Sequence, residues 1–301
     1  MIARPHTRLA AAVAVVLVVI AVMYGVFALL LAVLALGTAT GLVLACQFGV
    51  MSLVNRSDPC VKPSLRDLLI AWWHESVAAV RLFGISQPWL ADSEKDCLPP
   101  KAQGRTGVVF VHGFLCNRGI WLRWMRSLRR DDTAFVTVDL RPLFADIEDY
   151  ADTVVAAVRT VQQQTGRSVV VVAHSMGGLV VRHCLRAQEP LPIAAVVTIA
   201  TPHQGTWLAR WGMGINAKQM RHKADWLQRL GTEVAPPFHC FWSNCDNVVF
   251  PASSATLSGA DNIHLNGVAH LEMVDDPRVI ALVDGLLAAS DDVPVSAFSS
   301  A

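Results

Sequence analysis

The 301-residue sequence has few charged residues, and over one stretch of 47 residues it has none. Only 16% of the chain is Asp, Glu, Lys or Arg, whereas 53% is hydrophobic and the mean hydropathy is +0.42. These proportions exclude a disordered chain, a collagen-like chain and a small disulfide scaffold. They also differ from ordinary soluble composition, so part of the chain is expected to lie in lipid.

The chain also lacks a basic excess and a cysteine framework. Its net charge is +1, so no nucleic-acid partner is expected. The seven cysteines are irregularly spaced and form no Cys-x-x-Cys pair, which argues against a metal-binding knuckle. Free buried thiols are expected, with Cys60–Cys97 or Cys240–Cys245 as pairs in an oxidising compartment. No metal and no cofactor is expected, and the oligomeric state is left open.

The uncharged stretch, Leu9 to Asn55, is about three times as long as the apolar region of a cleaved signal peptide. We therefore expect residues 1–55 to be an uncleaved anchor with the lipid bilayer as its partner. Two spans of about 20 residues fit, with a break at Tyr24-Gly25 or within Gly37–Gly41. Basic residues flank both ends, so the positive-inside bias favours a hairpin in a bacterial inner membrane with both flanks cytoplasmic. The alternative is one span from Leu9 to about Leu34 with the rest of the stretch interfacial, which would place the large domain outside.

Residues 56–105 are interpreted as a juxtamembrane amphipathic helix and a linker. The helix is expected from Ser64 to Phe83, because Ser64 and Asp67 are spaced like a capping box and an apolar stripe follows. The stripe comprises Leu65, Leu68, Leu69, Trp72, Trp73, Val77 and Val80. It either packs on the following domain or docks on the membrane surface, where tryptophan is favoured. Asp92 to Gly107 is the expected linker.

From Thr106 onward, short apolar runs alternate with segments of helical periodicity, which is typical of parallel βαβ units. Residues 106–290 are therefore predicted to form an α/β domain with a mostly parallel sheet flanked by helices, followed by a flexible tail, 291–301. The expected strands are Val108–Val111, Phe135–Val138, Val169–Val172, Ala194–Ile199, Phe238–Ser243 and Asn262–Leu265. The expected helices include Ile147–Gln163 and Pro277–Leu287.

One strand runs without a spacer into Ala173-His174-Ser175-Met176-Gly177-Gly178 and then a helical segment. A serine between small residues at such a junction is typical of a nucleophile elbow, which lifts the hydroxyl above the sheet. Ser175 is therefore the candidate nucleophile.

A serine hydroxyl needs a base, and in this topology the acid and then the base follow the nucleophile. Asp246 follows the strand that ends near Ser243, and His270 lies in a small-residue loop before the final helix. Asp261 and Asp275 are alternatives for the acid. Acyl transfer also needs backbone N–H donors for the oxyanion, and these are expected at Phe114 and Met176.

These motifs and their order along the chain resemble those of the α/β-hydrolase superfamily, and specifically those of its bacterial triacylglycerol lipases and esterases. The resemblance rests on His112-Gly113-Phe114, the elbow, Thr201–Thr206 and the Asp246 and His270 loops, and it covers Thr106 to Ala288. It implies the triad Ser175, Asp246 and His270 and an oxyanion hole at Phe114 and Met176. The membrane hairpin lies outside the pattern of secreted lipases.

Residues 206–236 are inserted where such folds place a cap or lid. Their tryptophans and methionines are typical of an adaptable apolar surface. The candidates for lining the substrate site are Leu115, Trp207, Trp211, Met213, Met220 and Trp226. The alternative for this segment is a helix buried against the sheet.

The expected function is a membrane-anchored serine hydrolase, a lipase or esterase, that cleaves esters of apolar acyl groups through an acyl-enzyme. With the same triad, a thioesterase, a phospholipase or an acyltransferase is an alternative. A non-enzymatic function, as a catalytically inactive membrane scaffold, is a further alternative.

The two membrane topologies predict opposite results in a protease-protection experiment. With a cytoplasmic hairpin, the domain after residue 55 stays intact when protease is added to spheroplasts and is digested only after lysis. Digestion in intact spheroplasts would instead establish the single-span arrangement.

Overall fold

The computed structural model describes residues 5–187, 190–232 and 235–290, so the expected tail, 291–301, lies outside the described residues. Six strands form one sheet in the order β2-β1-β3-β4-β5-β6, and every neighbouring pair is parallel. The strands are β1 (Val108–Val111), β2 (Phe135–Val138), β3 (Val169–His174), β4 (Ile193–Ile199), β5 (Phe238–Trp242) and β6 (Asp261–His264). The predicted parallel sheet is confirmed.

The α-helices are α1 (Pro5–Val54), α2 (Leu65–Ala79), α3 (Leu122–Arg130), α4 (Ala151–Thr165), α5 (Met176–Ala187), α6 (Ile215–Gln219), α7 (Asp225–Leu230) and α8 (Pro277–Ser290). Four of them cover the two faces of the sheet. One apolar cluster joins α4 and α5 to the sheet, and a second joins α3 and α8 to its other face. Burial on both faces explains why β1 and β3 are continuous apolar runs.

Two helices on the sheet differ from expectation. The crossover helix α4 begins at Ala151 rather than Ile147, because a 3₁₀ turn, Glu148–Tyr150, precedes it. Helix α3 has no counterpart among the predicted elements. It carries four arginines in nine residues, and only the opposite face, with Trp124, Met125 and Leu128, is buried.

Helix α1 is interrupted at Gly25, whose φ of +85° and ψ of 172° are not helical. Ala12 and Leu36 line one cleft, so the segments on either side of Gly25 fold back against each other. Of the two expected break points, Gly37–Gly41 remains helical. The segments Ala11–Ala28 and Leu30–Ser57 are long and apolar enough to cross a membrane, as is a third, Leu65–Leu90.

The C-terminal part of α1 packs directly on the sheet domain. Phe48 and Met51 are buried in a cluster that includes Phe250 and Ala269. Polar contacts fasten the end of the helix, where Asn55 Oδ1 accepts the Ala252 N–H at 3.0 Å. The expected boundary at residue 55 therefore does not coincide with a break in packing.

Helix α2 begins with the predicted capping box. The Ser64 hydroxyl accepts the Asp67 N–H at 3.2 Å, and the Asp67 carboxylate accepts the Ser64 N–H at 3.0 Å. The helix continues as a π-helical segment, Val80–Leu90, seven residues beyond the predicted end at Phe83.

The apolar stripe of α2 was predicted to pack on the domain or to dock on the membrane surface, and only part of it packs on the domain. Leu68 and Trp72 pack against the Phe48 cluster, and the Trp72 indole N–H donates to the Gly41 carbonyl at 2.8 Å. The remaining members of the stripe are exposed: Leu65, Leu69, Trp73, Val77 and Val80. The helix face beside Leu68 and Trp72, with Ala71, Glu75 and Ala79, is buried.

The segment interpreted as a linker is partly tied to the sheet. The backbone of Cys97 pairs with Phe135 through N–H···O bonds of 3.0 and 2.8 Å. All seven cysteines are free thiols, so neither of the alternative disulfides is formed.

Candidate active site

Ser175 lies at the junction of β3 and α5 with a φ of +52°, which is strained for a residue with a side chain. Its N–H donates to the Ile199 carbonyl at 2.8 Å. Two glycines allow neighbouring backbone to approach. A Cβ at Gly113 would lie 2.7 Å from the Ser175 Cβ, and one at Gly177 would lie 2.6 Å from the Val111 oxygen. The elbow therefore depends on residues without side chains at both positions.

The loops after β5 and β6 bring Asp246 and His270 together. His270 Nδ1 lies 3.0 Å from Asp246 Oδ1 and 3.1 Å from Oδ2, and both residues are buried. Asp246 Oδ1 also accepts the N–H groups of Val248 and Val249, at 2.9 and 2.8 Å, so the carboxylate is held in place.

Burial alone would lower the pKa of His270, but the charge and hydrogen bond of Asp246, with the charge of Glu75, raise it above its usual value. The neighbouring His174, whose ring centroid lies 4.7 Å from that of His270, behaves oppositely. Burial and the charge of His270 hold the pKa of His174 well below its usual value. His270 is thus the histidine electrostatically suited to accept a proton.

A cavity of about 430 Å³ lies above the elbow, and Ser175 and His270 both line it. Phe114 and Leu115 form part of its wall, in a turn closed by a 3.2 Å bond from the Cys116 N–H to the Gly113 carbonyl. Met176 is the first residue of α5, where backbone N–H groups have no acceptor within the helix. The two predicted oxyanion residues therefore lie on neighbouring segments. Phe114 lies in the turn after β1, and Met176 follows Ser175 directly.

The arrangement has counterparts among known proteins. A family model described as "Alpha/beta hydrolase family" matches residues 108–296, more than half of the chain. The chain belongs to the alpha/beta hydrolase family.

Solved structures share the fold of this alpha/beta hydrolase at low sequence identity. Lipase B of Aspergillus fumigatus superimposes with a TM-score of 0.53 and 21% identity, over 60% of this chain and 52% of that one. The chain therefore spans about half the length of that lipase. The mature lipase BlEst2 of Bacillus licheniformis has a TM-score of 0.52 and 17% identity, over 61% of this chain and 92% of that one. Among curated proteins, none matches the sequence.

The six candidate lining residues of the hydrolase separate into two groups. Leu115, Trp211 and Met220 line the cavity. Trp207, Met213 and Trp226 lie outside its lining. Trp226 is buried in the sheet cluster, with its indole N–H donating to Glu148 at 2.8 Å, so this residue follows the alternative of packing against the sheet.

The alternative acids have other partners. Asp261 contacts His239 at 3.0 Å, and Asp275 contacts Arg81 at 2.8 Å. Neither is paired with His270. Over residues 5–187, 190–232 and 235–290, no group of three or more His, Cys, Asp or Glu side chains is arranged to hold a metal ion.

The hydrolase site includes three polar residues that sequence reasoning missed. Gln47 and Glu75 line the cavity from α1 and α2. Gln47 Oε1 accepts from Asn247 Nδ2 at 3.0 Å, and Asn247 Oδ1 accepts the His270 N–H at 3.4 Å. The sequence contained a signal for Gln47, because a polar amide side chain inside an apolar segment needs a hydrogen-bond partner. Glu75 carried one too, because it lies seven residues after Leu68 and three after Trp72, which places a carboxyl group at the edge of the apolar stripe.

A methyl group at Gly113 is expected to displace Ser175, the candidate nucleophile. Gly113→Ala would press on the Ser175 Cβ, and misplacement of a reacting group by about 1 Å can cost about a hundredfold in rate. The reaction rate of Ser175 with an active-site probe measures the effect. Gly285→Ala is the matched control, because a Cβ there meets nothing within 4 Å. Equal rates for the two variants would contradict the role of this close approach.

Proposed function

We propose that this protein is a membrane-anchored serine hydrolase that cleaves carboxylic esters of apolar acyl chains. One observation carries the proposal: Ser175, on a strained elbow, and His270, paired with Asp246, line the same mainly apolar cavity. Activation of serine by a histidine that a carboxylate orients is the requirement for this chemistry.

In the proposed reaction, His270 takes the proton of Ser175 as the hydroxyl oxygen attacks the ester carbonyl. The backbone N–H groups of Phe114 and Met176 stabilise the oxyanion that develops. His270 then gives the proton to the leaving alcohol, and Ser175 retains the acyl group. Water, deprotonated by His270, cleaves the acyl-enzyme and releases the carboxylic acid.

The names of the two structural neighbours agree with an ester substrate. Both are lipases, although their similarity to this chain establishes only the fold. The cavity provides the independent support, because its wall includes apolar side chains from the cap segment and from the loop after β1. These are Phe114, Leu115, Leu208, Ala209, Trp211 and Met220.

The position of the proposed hairpin supports a substrate that resides in the bilayer. About 20 helical residues cover the roughly 30 Å hydrocarbon core, so a hairpin with its tip at Gly25 leaves the core near Pro5 and Ala45. Leu44 and Gln47 line the catalytic cavity at that level. Exposed apolar residues, with Trp211 64% and Met213 74% exposed, lie on the cap segment beside it. The cavity mouth would thus meet the membrane surface.

An alkyl fluorophosphonate tests the serine mechanism directly. The full-length protein should be labelled on Ser175, and Ser175→Ala should lose the label. Asp246→Asn should slow labelling by about 10⁴-fold, because it disturbs the tautomer and orientation of His270. Ser127→Ala, a substitution on an exposed position of α3, should label like the wild type. Labelling that survives Ser175→Ala would exclude the proposal.

Trp211 should contribute to acyl-chain selectivity. Trp211→Ala removes an apolar wall, so the preference for long over short acyl chains should fall by about tenfold. The ratio of kcat/KM for dodecanoyl and acetyl esters measures the preference. Trp89→Ala is the matched control, because Trp89 is also exposed but lies outside the cavity lining. An unchanged ratio for Trp211→Ala would contradict an acyl-binding role.

A further inference from the structure

Glu75 is a buried carboxyl group that the proposed reaction does not use. It projects from α2 into the wall of the catalytic cavity, is 1% exposed, and shares that wall with Ser175 and His270. Its Oε2 accepts the N–H of Leu271, the residue after the proposed base, at 2.9 Å. Burial of an ionisable group is costly, so its presence here calls for a compensating role.

The groups that face Glu75 are those of the proposed triad and its loop. Burial raises the pKa of the Glu75 carboxyl group to about 7, and the charge of Asp246 acts in the same direction. The charge of His270 and hydrogen bonds from the N–H groups of Leu271 and Glu272 lower this pKa, so they favour the ionised carboxylate. The Cys116 thiol lies within the electrostatic reach of the same carboxylate. The one cationic form among these groups is protonated His270, so a negative charge on Glu75 is compensated mainly there.

The effect on His270 is reciprocal. Burial lowers the pKa of His270, whereas Asp246 and then Glu75 raise it. Glu75 is therefore a second carboxylate that favours the imidazolium form, in addition to the Asp246 carboxylate that contacts the ring.

A purely structural tie between α2 and the base loop would not need a buried charge. Two contacts near the surface already join α2 and its π-helical continuation to the segment after His270. His74 Nδ1 lies 2.7 Å from Glu272, and Arg81 lies 2.8 Å from Asp275. Glu75 differs from these contacts in placing its charge inside the catalytic cavity.

We propose that Glu75 is a positioning residue for the base, holding the His270 loop through the Leu271 N–H and stabilising the imidazolium that forms during acyl transfer. This inference rests on the proposed serine mechanism. It assigns to the juxtamembrane helix a part in setting the reactivity of Ser175.

The proposal predicts two changes in Glu75→Gln, which keeps the shape and an acceptor for Leu271. Above about pH 7, where Glu75 is ionised, the loss of its charge makes the imidazolium less stable, so the limiting rate of Ser175 acylation should fall by about tenfold. For the same reason the pKa of His270 falls, so neutral base persists to lower pH. The midpoint of the acidic limb should therefore move down by roughly 0.5–1 pH unit.

Both changes, in limiting rate and in midpoint, can be measured from the rate constant of fluorophosphonate labelling as a function of pH. The experiment uses full-length protein in detergent micelles. Asp275→Asn is the matched control, because it removes a carboxylate that joins α2 to the same segment outside the cavity. Its midpoint and limiting rate should equal those of the wild type. With a soluble ester, Glu75→Gln should lower kcat and leave KM unchanged.

A wild-type profile for Glu75→Gln would overturn the proposal and leave Glu75 a packing residue. If this variant loses its cooperative thermal transition, Glu75→Asp provides the test, because it keeps the charge on a shorter side chain. Its rate should fall while its midpoint stays at the wild-type pH, and a lowered midpoint would overturn the proposal. Absence of labelling in the wild type would instead refute the serine mechanism itself.

Discussion

The close packing of backbone around Ser175 is the constraint on which the rest of the site depends. A residue with a side chain at a φ of +52° costs about 1–3 kcal/mol, so surrounding contacts must hold it. The Ile199 carbonyl accepts its N–H, and the Thr201 hydroxyl donates to its carbonyl at 2.9 Å. These contacts come from β4 and the loop after it, so they exist only when the parallel sheet has formed. Gly178 belongs to the same packing, because a Cβ there would lie 2.2 Å from Thr201 Oγ1.

The N-terminal helices complete this site rather than only preceding it. Gln47 bonds to Asn247, beside Asp246, and Glu75 bonds to Leu271, beside His270. Each bond satisfies a polar side chain that would otherwise lie among apolar ones, where an unmade hydrogen bond is costly. The two loops that carry Asp246 and His270 are therefore held from the sheet on one side and from α1 and α2 on the other.

The spacing of apolar residues along the chain was sufficient to predict most of the strands. Near-continuous apolar runs predicted β1 to β4, and the ends of all six predicted strands lie within two residues of the observed ones. The junction after β3 predicted the turn at Ser175. Helix α3 escaped prediction because its four arginines conceal the narrow apolar face. The break of α1 could be narrowed only to two glycine-containing segments, because both have the same local signal. The choice of Gly25 depends on how the two halves pack.

Long-range contacts account for what was missed at the site. Glu75 meets Leu271 across 196 residues of chain, and Gln47 meets Asn247 across 200. No periodicity links such positions. The cap segment shows the same limit: Trp211 and Trp226 have equivalent sequence signals, but one is 64% exposed at the cavity and the other 8% exposed in the core. Composition indicates an apolar segment, whereas tertiary packing decides which of its side chains meet substrate.

A cavity walled partly by the proposed anchor would constrain how the proposed ester substrate reaches Ser175. Leu44 lies on the part of α1 that packs on the domain, and Phe83 and Ala79 follow Glu75 along α2. If α1 and α2 separated from the domain, the cavity would lose this wall together with the bonds that hold Asn247 and Leu271. A bilayer that fixes α1 and covers the exposed stripe of α2 would stabilise the assembled arrangement, since burial of that stripe in lipid is favourable. In the proposed enzyme, membrane attachment and an ordered triad are therefore consequences of the same packing.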